Sequence, residues 1–395
     1  MILRRTYDLL RPAILALLVG CGGGGGGTDA PPPQVEETPR EVLGVPARLE
    51  VPAFPSYNPP TRAKIELGRH LFYEKRLSAN QTQSCASCHV QEMAFADGKR
   101  TPAGSTGQTL VRNSQGLQNV AYFSTLTWAH NGMLELEDQL PVPIRNDNPV
   151  ELGVTDGVRE EVLARFDGDP LYKRLFAEAF PESDGATVEK IIFALASFSR
   201  TMVSADSPFD RYAAGDKSAL DERQRRGLAL FNSERFECFH CHNGTNLTIS
   251  YRDESTTPAT ITFPFFNNGL YNVGGDGSYP PHDQGLYNLT LDPDDRGLFR
   301  PPSLRNVAVT APYMHDGSIE TLREVVEHYA AGGRVIATGP FAGDGRTSPL
   351  KSGLIRGFGA TDEEIDDVIA FLESLTDRTF IENPKFSNPF VGAGP

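Results

Sequence analysis

Apolar positions along this chain gather into a few helix-sized blocks, separated by long polar stretches rich in glycine and proline. Residues Val188 to Met202 are apolar over most of their length and long enough for a core helix. Two further blocks open with a capping box. Thr361 and Glu364 stand before Ile365, Val368, Ile369 and Leu372, which share one helix face. Thr321 and Glu324 start a second such face, Leu322, Val325, Val326 and Tyr329, and Gly332 with Gly333 ends that helix. A shorter pattern occurs twice, as Gly68-x-x-Leu71-Phe72 and as Gly227-x-x-Leu230-Phe231. Each reads as the end of a helix, and the repetition points to duplication of one small helical unit. No stretch alternates apolar and polar residues for long enough to predict a sheet. Between Asn243 and Arg300, Gly, Asn, Asp and Pro dominate, so a long packed loop is expected there.

The chain begins differently. Arg4, Arg5 and Arg11 accompany an apolar run, Ala13 to Val19, that is too short to span a bilayer. Leu18-Val19-Gly20-Cys21 resembles a bacterial lipoprotein signal. Residues 1–20 are therefore expected to be a cleaved signal, with lipid on Cys21; an ordinary secretory signal is the alternative. Residues 21–45, including Gly22 to Gly27 and Ala30 to Pro33, read as a flexible tether. The mature protein is then extracytoplasmic and touches a membrane only through that lipid. No aspartate follows Cys21, which favours the outer membrane. The 37 basic and 51 acidic residues leave a net charge of −14, which argues against nucleic acid as a partner.

The chemistry is carried by Cys85-Ala86-Ser87-Cys88-His89 and Cys238-Phe239-His240-Cys241-His242. Cys-x-x-Cys-His is the c-type haem attachment signature: two thiols add across the haem vinyls and the histidine becomes the proximal iron ligand. A zinc site would also use Cys-x-x-Cys, but its halves normally lie within about 20 residues of each other. Here 149 residues lie between Cys88 and Cys238. Disulfides are the other alternative in an oxidising compartment. Neither alternative calls for a histidine after each pair. Two covalent haems are expected, held in a mainly α fold of two cytochrome c-like haem domains with long ordered loops. The N-terminal haem domain would run over 46–205 and the C-terminal one over 206–395.

At this point the chain resembles the di-haem cytochrome c peroxidase and MauG superfamily, over roughly residues 60–380. The likeness rests on Leu67-Gly68 through the first haem motif, on Leu304-Arg305-Asn306-Val307 and on Ala311-Pro312-Tyr313-Met314-His315-Asp316-Gly317. Leu126-Thr127-Trp128-Ala129 and Pro149-Val150-Glu151-Leu152-Gly153 resemble the MauG/MbnH-like subgroup. The resemblance implies an enzyme that consumes hydrogen peroxide, with the haem on His89 as the open site. No histidine lies between His89 and His130 to block the sixth position. Gln139, Pro143 and Glu151 match the distal pocket residues of the family, with Glu151 as acid/base and Gln139 as a hydrogen-bonding group. The gap from Pro143 to Glu151 is longer than the family's by two residues, and Asp147 is the rival carboxylate.

For the haem on His242, the position matching the sixth ligand is Tyr329, with Met314 as the alternative. A thioether would raise the haem potential, whereas a phenolate favours the oxidised states of iron. Phenolate ligation would let the second haem share the oxidising equivalents of peroxide, which suits attack on a protein partner at aromatic residues such as tryptophan. The other readings are a peroxidase fed by a small cytochrome or cupredoxin, and a non-enzymatic electron carrier. Trp128, the only Trp, matches the residue that bridges the haems, although Trp128-Ala129-His130-Asn131-Gly132 departs from the usual local motif. Asn113, Thr310 and Pro312 match the family's calcium ligands. Where MauG has a surface tryptophan before the second haem motif, this chain has Phe236.

Overall fold

The two Gly-x-x-Leu-Phe repeats occupy equivalent places in two helix pairs. The Arg62–Tyr73 helix, capped by Thr61, runs against the Val188–Arg200 helix, capped by Thr187. The Glu222–Phe231 helix, opened by an Asp221–Gln224 capping box, runs against the Asp362–Glu373 helix in the same way. Both crossings demand glycine. A β-carbon on Gly68 would overlap the carbonyl oxygen of Ala194, and one on Gly227 that of Asp367. One turn along each partner helix a phenylalanine, Phe198 or Phe371, closes on the same glycine.

The correspondence between the two helix pairs extends beyond what the sequence pattern displays. Asn119 and Asn306 both adopt the left-handed backbone conformation, with φ of 55° and 58°. Asn119 N–H donates to Met202 O at 2.8 Å, and Asn306 N–H donates to Leu375 O at 3.0 Å. Their side-chain oxygens accept the N–H of Ser204 and of Asp377, each at 2.7 Å. Each asparagine thus ties the chain that leaves a partner helix to the loop running back over the haem motif.

The computed structural model describes residues 37–391. The fold is mainly helical, and the only paired strands among the described residues are Val335–Ile336 and Gly343–Asp344. One hydrophobic core gathers around Leu67, Leu71, Phe72, Phe95, Leu195 and Phe198, and a second around Phe231, Val326, Val368 and Phe371. Full burial of a Leu or Phe contributes about 1.5–3 kcal/mol, so the buried face of each helix pair dominates its stability. Phe380, Ile381 and Phe386, near the C-terminus, return to the first core rather than the second. A third cluster unites Trp128, Tyr271, Tyr279 and Phe299 from loop segments. The glycine-rich stretch after Asn243 is ordered by such contacts and carries a short helix, Tyr287–Thr290.

The tether expected over 21–45 ends sooner than composition implied. Thr38 and Glu41 form a capping box on the Pro39–Leu43 helix, and Leu43 and Val45 are buried with Leu49, Val51 and Ala205. Two apolar residues at the end of that segment, Leu43 and Val45, anchor it. The expected signal and Cys21 lie outside the described residues. No helix among the described residues is long and apolar enough to cross a membrane.

Candidate active site

Both Cys-x-x-Cys-His motifs begin with a single 3-10 turn, Cys85–Ser87 and Cys238–His240. All four of these cysteines are free, with no disulfide between them. Burial pushes the thiols up, Cys85 and Cys238 to about 12 and Cys88 and Cys241 to about 11. Among the described residues no group of three or more His, Cys, Asp or Glu side chains is placed to hold a metal ion.

The two histidines are prepared alike. His89 Nδ1 lies 2.7 Å from Phe95 O, and His242 Nδ1 lies 3.3 Å from Leu247 O. A carbonyl only accepts, so Nδ1 carries the proton and Nε2 is left with its lone pair. Burial lowers the pKa of both rings, that of His242 to about 4, and keeps them neutral. A neutral imidazole oriented by a backbone carbonyl is the form that binds iron. Phe72 lies beside His89 and is itself packed by Phe95 and Phe198, which extend the apolar wall.

Beside the first motif, the structure brings Pro143 and Glu151 together. Leu140, between Gln139 and Pro143, keeps helical dihedrals (φ −60°, ψ −30°), so those two residues lie one turn apart. The chain then turns back through a bridge between Asp147 and Val150, and Leu152 N–H donates to Pro143 O at 2.9 Å. The two extra residues are taken up in this turn, which leaves Glu151 next to the proline. Ser105 N–H holds Glu151 O at 2.8 Å, and Ala79 N–H holds Leu152 O at the same distance. Burial alone raises the Glu151 carboxyl to about 7, and its charge is felt at both Cys85 and Cys88. Asp147, the rival, is exposed at the tip of the turn. His130 accepts Gly132 N–H on its own ring nitrogen at 3.1 Å, a local turn contact.

The second motif opens on a cavity of about 510 Å³. Cys238, Cys241 and His242 line it, and so do both candidate ligands, Tyr329 and Met314. Tyr329 is pushed up to about 12 by burial, and the charges of Cys241 and Cys238 add to that. Met314 sits in a tight turn with φ of 73°, and its sulfur accepts a hydrogen bond from Asn268 Nδ2 at 3.4 Å.

Trp128, Asn113, Thr310 and Pro312 line the same cavity. Trp128 Nε1–H donates to Asn113 O at 2.9 Å. Asn113 Nδ2 donates to Lys99 O at 2.8 Å, which leaves its amide oxygen without a donor among the described residues. The carbonyls of Thr310 and Pro312 likewise accept no hydrogen bond there. Three uncommitted neutral oxygens are the hard ligands that calcium takes.

Residues 62–218 match the family described as di-haem cytochrome c peroxidase. Cytochrome-c peroxidase IdrP1 of Denitromonas iodatirespirans is 34% identical over 353 residues, covering 85% of this chain and 88% of that protein. Methylamine utilization protein MauG of Methylophilus methylotrophus is 32% identical over 327 residues, covering 82% and 85%. This chain belongs to the di-haem cytochrome c peroxidase family. Among solved structures, that of a MauG-like protein associated with microbial copper homeostasis matches with a TM-score of 0.85 and 46% identity, over 87% of this chain and 98% of that one.

The protein is thus a di-haem peroxidase, and its family implies two c-type haems. The residues present fit that cofactor, and some of them were not evident from sequence. Arg300 is fully buried, lines the cavity, and has no carboxylate partner among the described residues. Its guanidinium donates to Thr127 O at 3.0 Å and to Gln115 Oε1 at 2.5 Å, and covers the Phe123 ring at 4.0 Å. Burial lowers it to about 9, so it is charged at neutral pH. An uncompensated buried cation fits an acidic group such as a haem propionate. His315, buried and stacked on Phe299 at 3.7 Å, is lowered to about 4 by burial, and its carbonyl accepts Asn113 N–H at 2.7 Å. In sequence, Phe299-Arg300-Pro301-Pro302 offers one clue, an arginine in an otherwise apolar run. Asn268, inside a polar loop, offers none.

Proposed function

We propose that this peroxidase uses hydrogen peroxide to oxidise a protein partner at aromatic residues, in the manner its MauG-like relatives suggest. The observation that carries the reading is the position of Tyr329, buried in the cavity beside Cys238 and Cys241, on the helix face it shares with Leu322, Val325 and Val326. When bound, the haems on His89 and His242 supply the iron that reacts with peroxide and stores its oxidising equivalents. Glu151 takes the first peroxide proton and returns it to the leaving oxygen, a role that wants a pKa near the working pH. Gln139 orients the peroxide and Pro143 excludes water beside it. Tyr329 would hold the second haem iron as a hard anionic donor, a type of ligand that disfavours reduction in advance. Trp128 would carry charge between the two haem sites, and Asn113, Thr310 and Pro312 would hold a calcium ion beside it. Cleavage before Cys21 and lipid on its sulfur would keep the enzyme in an extracytoplasmic space.

A second reading, a peroxidase drawing electrons from a small cytochrome or cupredoxin, is favoured by Met314, which shares the cavity. One stoichiometric addition of hydrogen peroxide to the diferric holoprotein separates these, followed by visible, near-infrared and Mössbauer spectra. Change at both irons without prior reduction supports the first reading. Turnover only after one-electron reduction, with a thioether-type spectrum, supports the second. Silence in both states would leave an electron carrier.

A further inference from the structure

Tyr329 and Met314 reach the same cavity from different elements, so something must determine which of them serves the iron. Asn268 touches both. Its Nδ2 donates to Met314 Sδ at 3.4 Å, and it lines the cavity together with Tyr329, its side chain beside the phenol. The orientation of the amide is settled by its surroundings. Leu270 N–H donates to Asn268 Oδ1 at 3.2 Å, while the Tyr279 hydroxyl gives its proton to the neighbouring Asn267 Oδ1 at 3.0 Å. Leu270 N–H is a donor, so the Asn268 oxygen faces it and the –NH₂ faces the cavity. The backbone is pinned too, since Asn268 O accepts His328 Nε2–H at 3.1 Å from the residue next to Tyr329.

The amide nitrogen has two hydrogens, one for each rival. Toward the sulfur it occupies a lone pair that iron would otherwise use. Toward the phenol it supplies the donor that a ligating phenolate oxygen welcomes. We propose that Asn268 is a positioning residue that withholds Met314 from the second haem and presents Tyr329 to it. The inference rests on the reading of Tyr329 as ligand given above.

Two variants of the holoprotein test it. Asn268→Leu removes the amide at similar size. Asn268→Asp keeps an oxygen for Leu270 N–H but has no donor for the sulfur, and so guards against a folding artefact in the leucine variant. Haem content is checked by the pyridine haemochrome assay. The readouts are the near-infrared sulfur-to-iron charge-transfer band, resonance Raman bands of iron-bound tyrosinate, and the reduction potential of the second haem. The expected result is that wild type shows the tyrosinate bands, while each loaded variant gains the sulfur band and a raised potential. Adding Met314→Leu should then abolish the new band. Tyrosinate bands that persist unchanged in both loaded variants would overturn the role of Asn268 and leave the Tyr329 reading intact. A sulfur band already present in wild type would overturn both, and in that case Tyr329→Phe would leave the wild-type spectrum unaltered.

Discussion

Glu151→Gln separates the chemistry of the distal carboxylate from its effect on stability. Raising a carboxyl from 4.5 to about 7 corresponds to about 3 kcal/mol, at about 1.4 kcal/mol per pKa unit. The sign follows from which form the fold disfavours. Burial penalises the carboxylate, so the folded protein holds its proton to higher pH than the unfolded chain does. Below pH 4.5 both states are protonated and Glu151 is harmless. Between 4.5 and about 7 the penalty builds up, and above about 7 it is complete. A neutral glutamine escapes it. The variant should therefore be more stable than wild type by up to about 3 kcal/mol near pH 9, and by less than about 1 kcal/mol at pH 5, in urea unfolding of the holoprotein. Its kcat/KM for peroxide should fall by about 10²–10⁴, the usual contribution of general acid–base catalysis. In wild type, kcat/KM should rise with pH through an apparent pKa of about 7, because the carboxylate is the form that takes the peroxide proton. That limb should be absent in the variant. A variant that keeps the wild-type rate and pH limb would refute the catalytic assignment. A stability difference equal at pH 5 and pH 9 would refute the burial argument.

Other consequences can be measured separately. Gly68→Ala and Gly227→Ala each drive a β-carbon into a backbone carbonyl, of Ala194 and of Asp367; each should lose about 1–3 kcal/mol or more in urea unfolding. Equal tolerance of alanine at both would contradict the close helix crossings. Trp128→Phe deletes the N–H bound to Asn113 O and should cost about 1 kcal/mol. Peroxide should still be consumed by this variant, but transfer between the haems, followed by stopped-flow spectroscopy, should slow at least tenfold. Chelation of calcium should perturb the spectra of both haems, with recovery on adding Ca²⁺ and none in Asn113→Ala, as read by optical titration.

Local chemistry and local pattern were legible without coordinates. A haem attachment site is five consecutive residues, so Cys85–His89 and Cys238–His242 declare themselves. Capping boxes at Thr321 and Thr361 act within one turn, and both were found where expected. Gly68 and Gly227 hinted at duplication, and Glu151 was identified by likeness alone. Tertiary structure decided the rest. The Glu151 pKa arises from burial, and its approach to Pro143 depends on a turn that absorbs the longer gap. Asn268 meets Met314 across 46 residues of chain, and Arg300 meets Gln115 across 185. Covalent haem attachment is written in neighbours because the thiols and histidine must reach one ring. The surroundings of the second motif's cavity are set by groups that only the folded chain brings within a few ångströms, where hydrogen bonds and desolvation act.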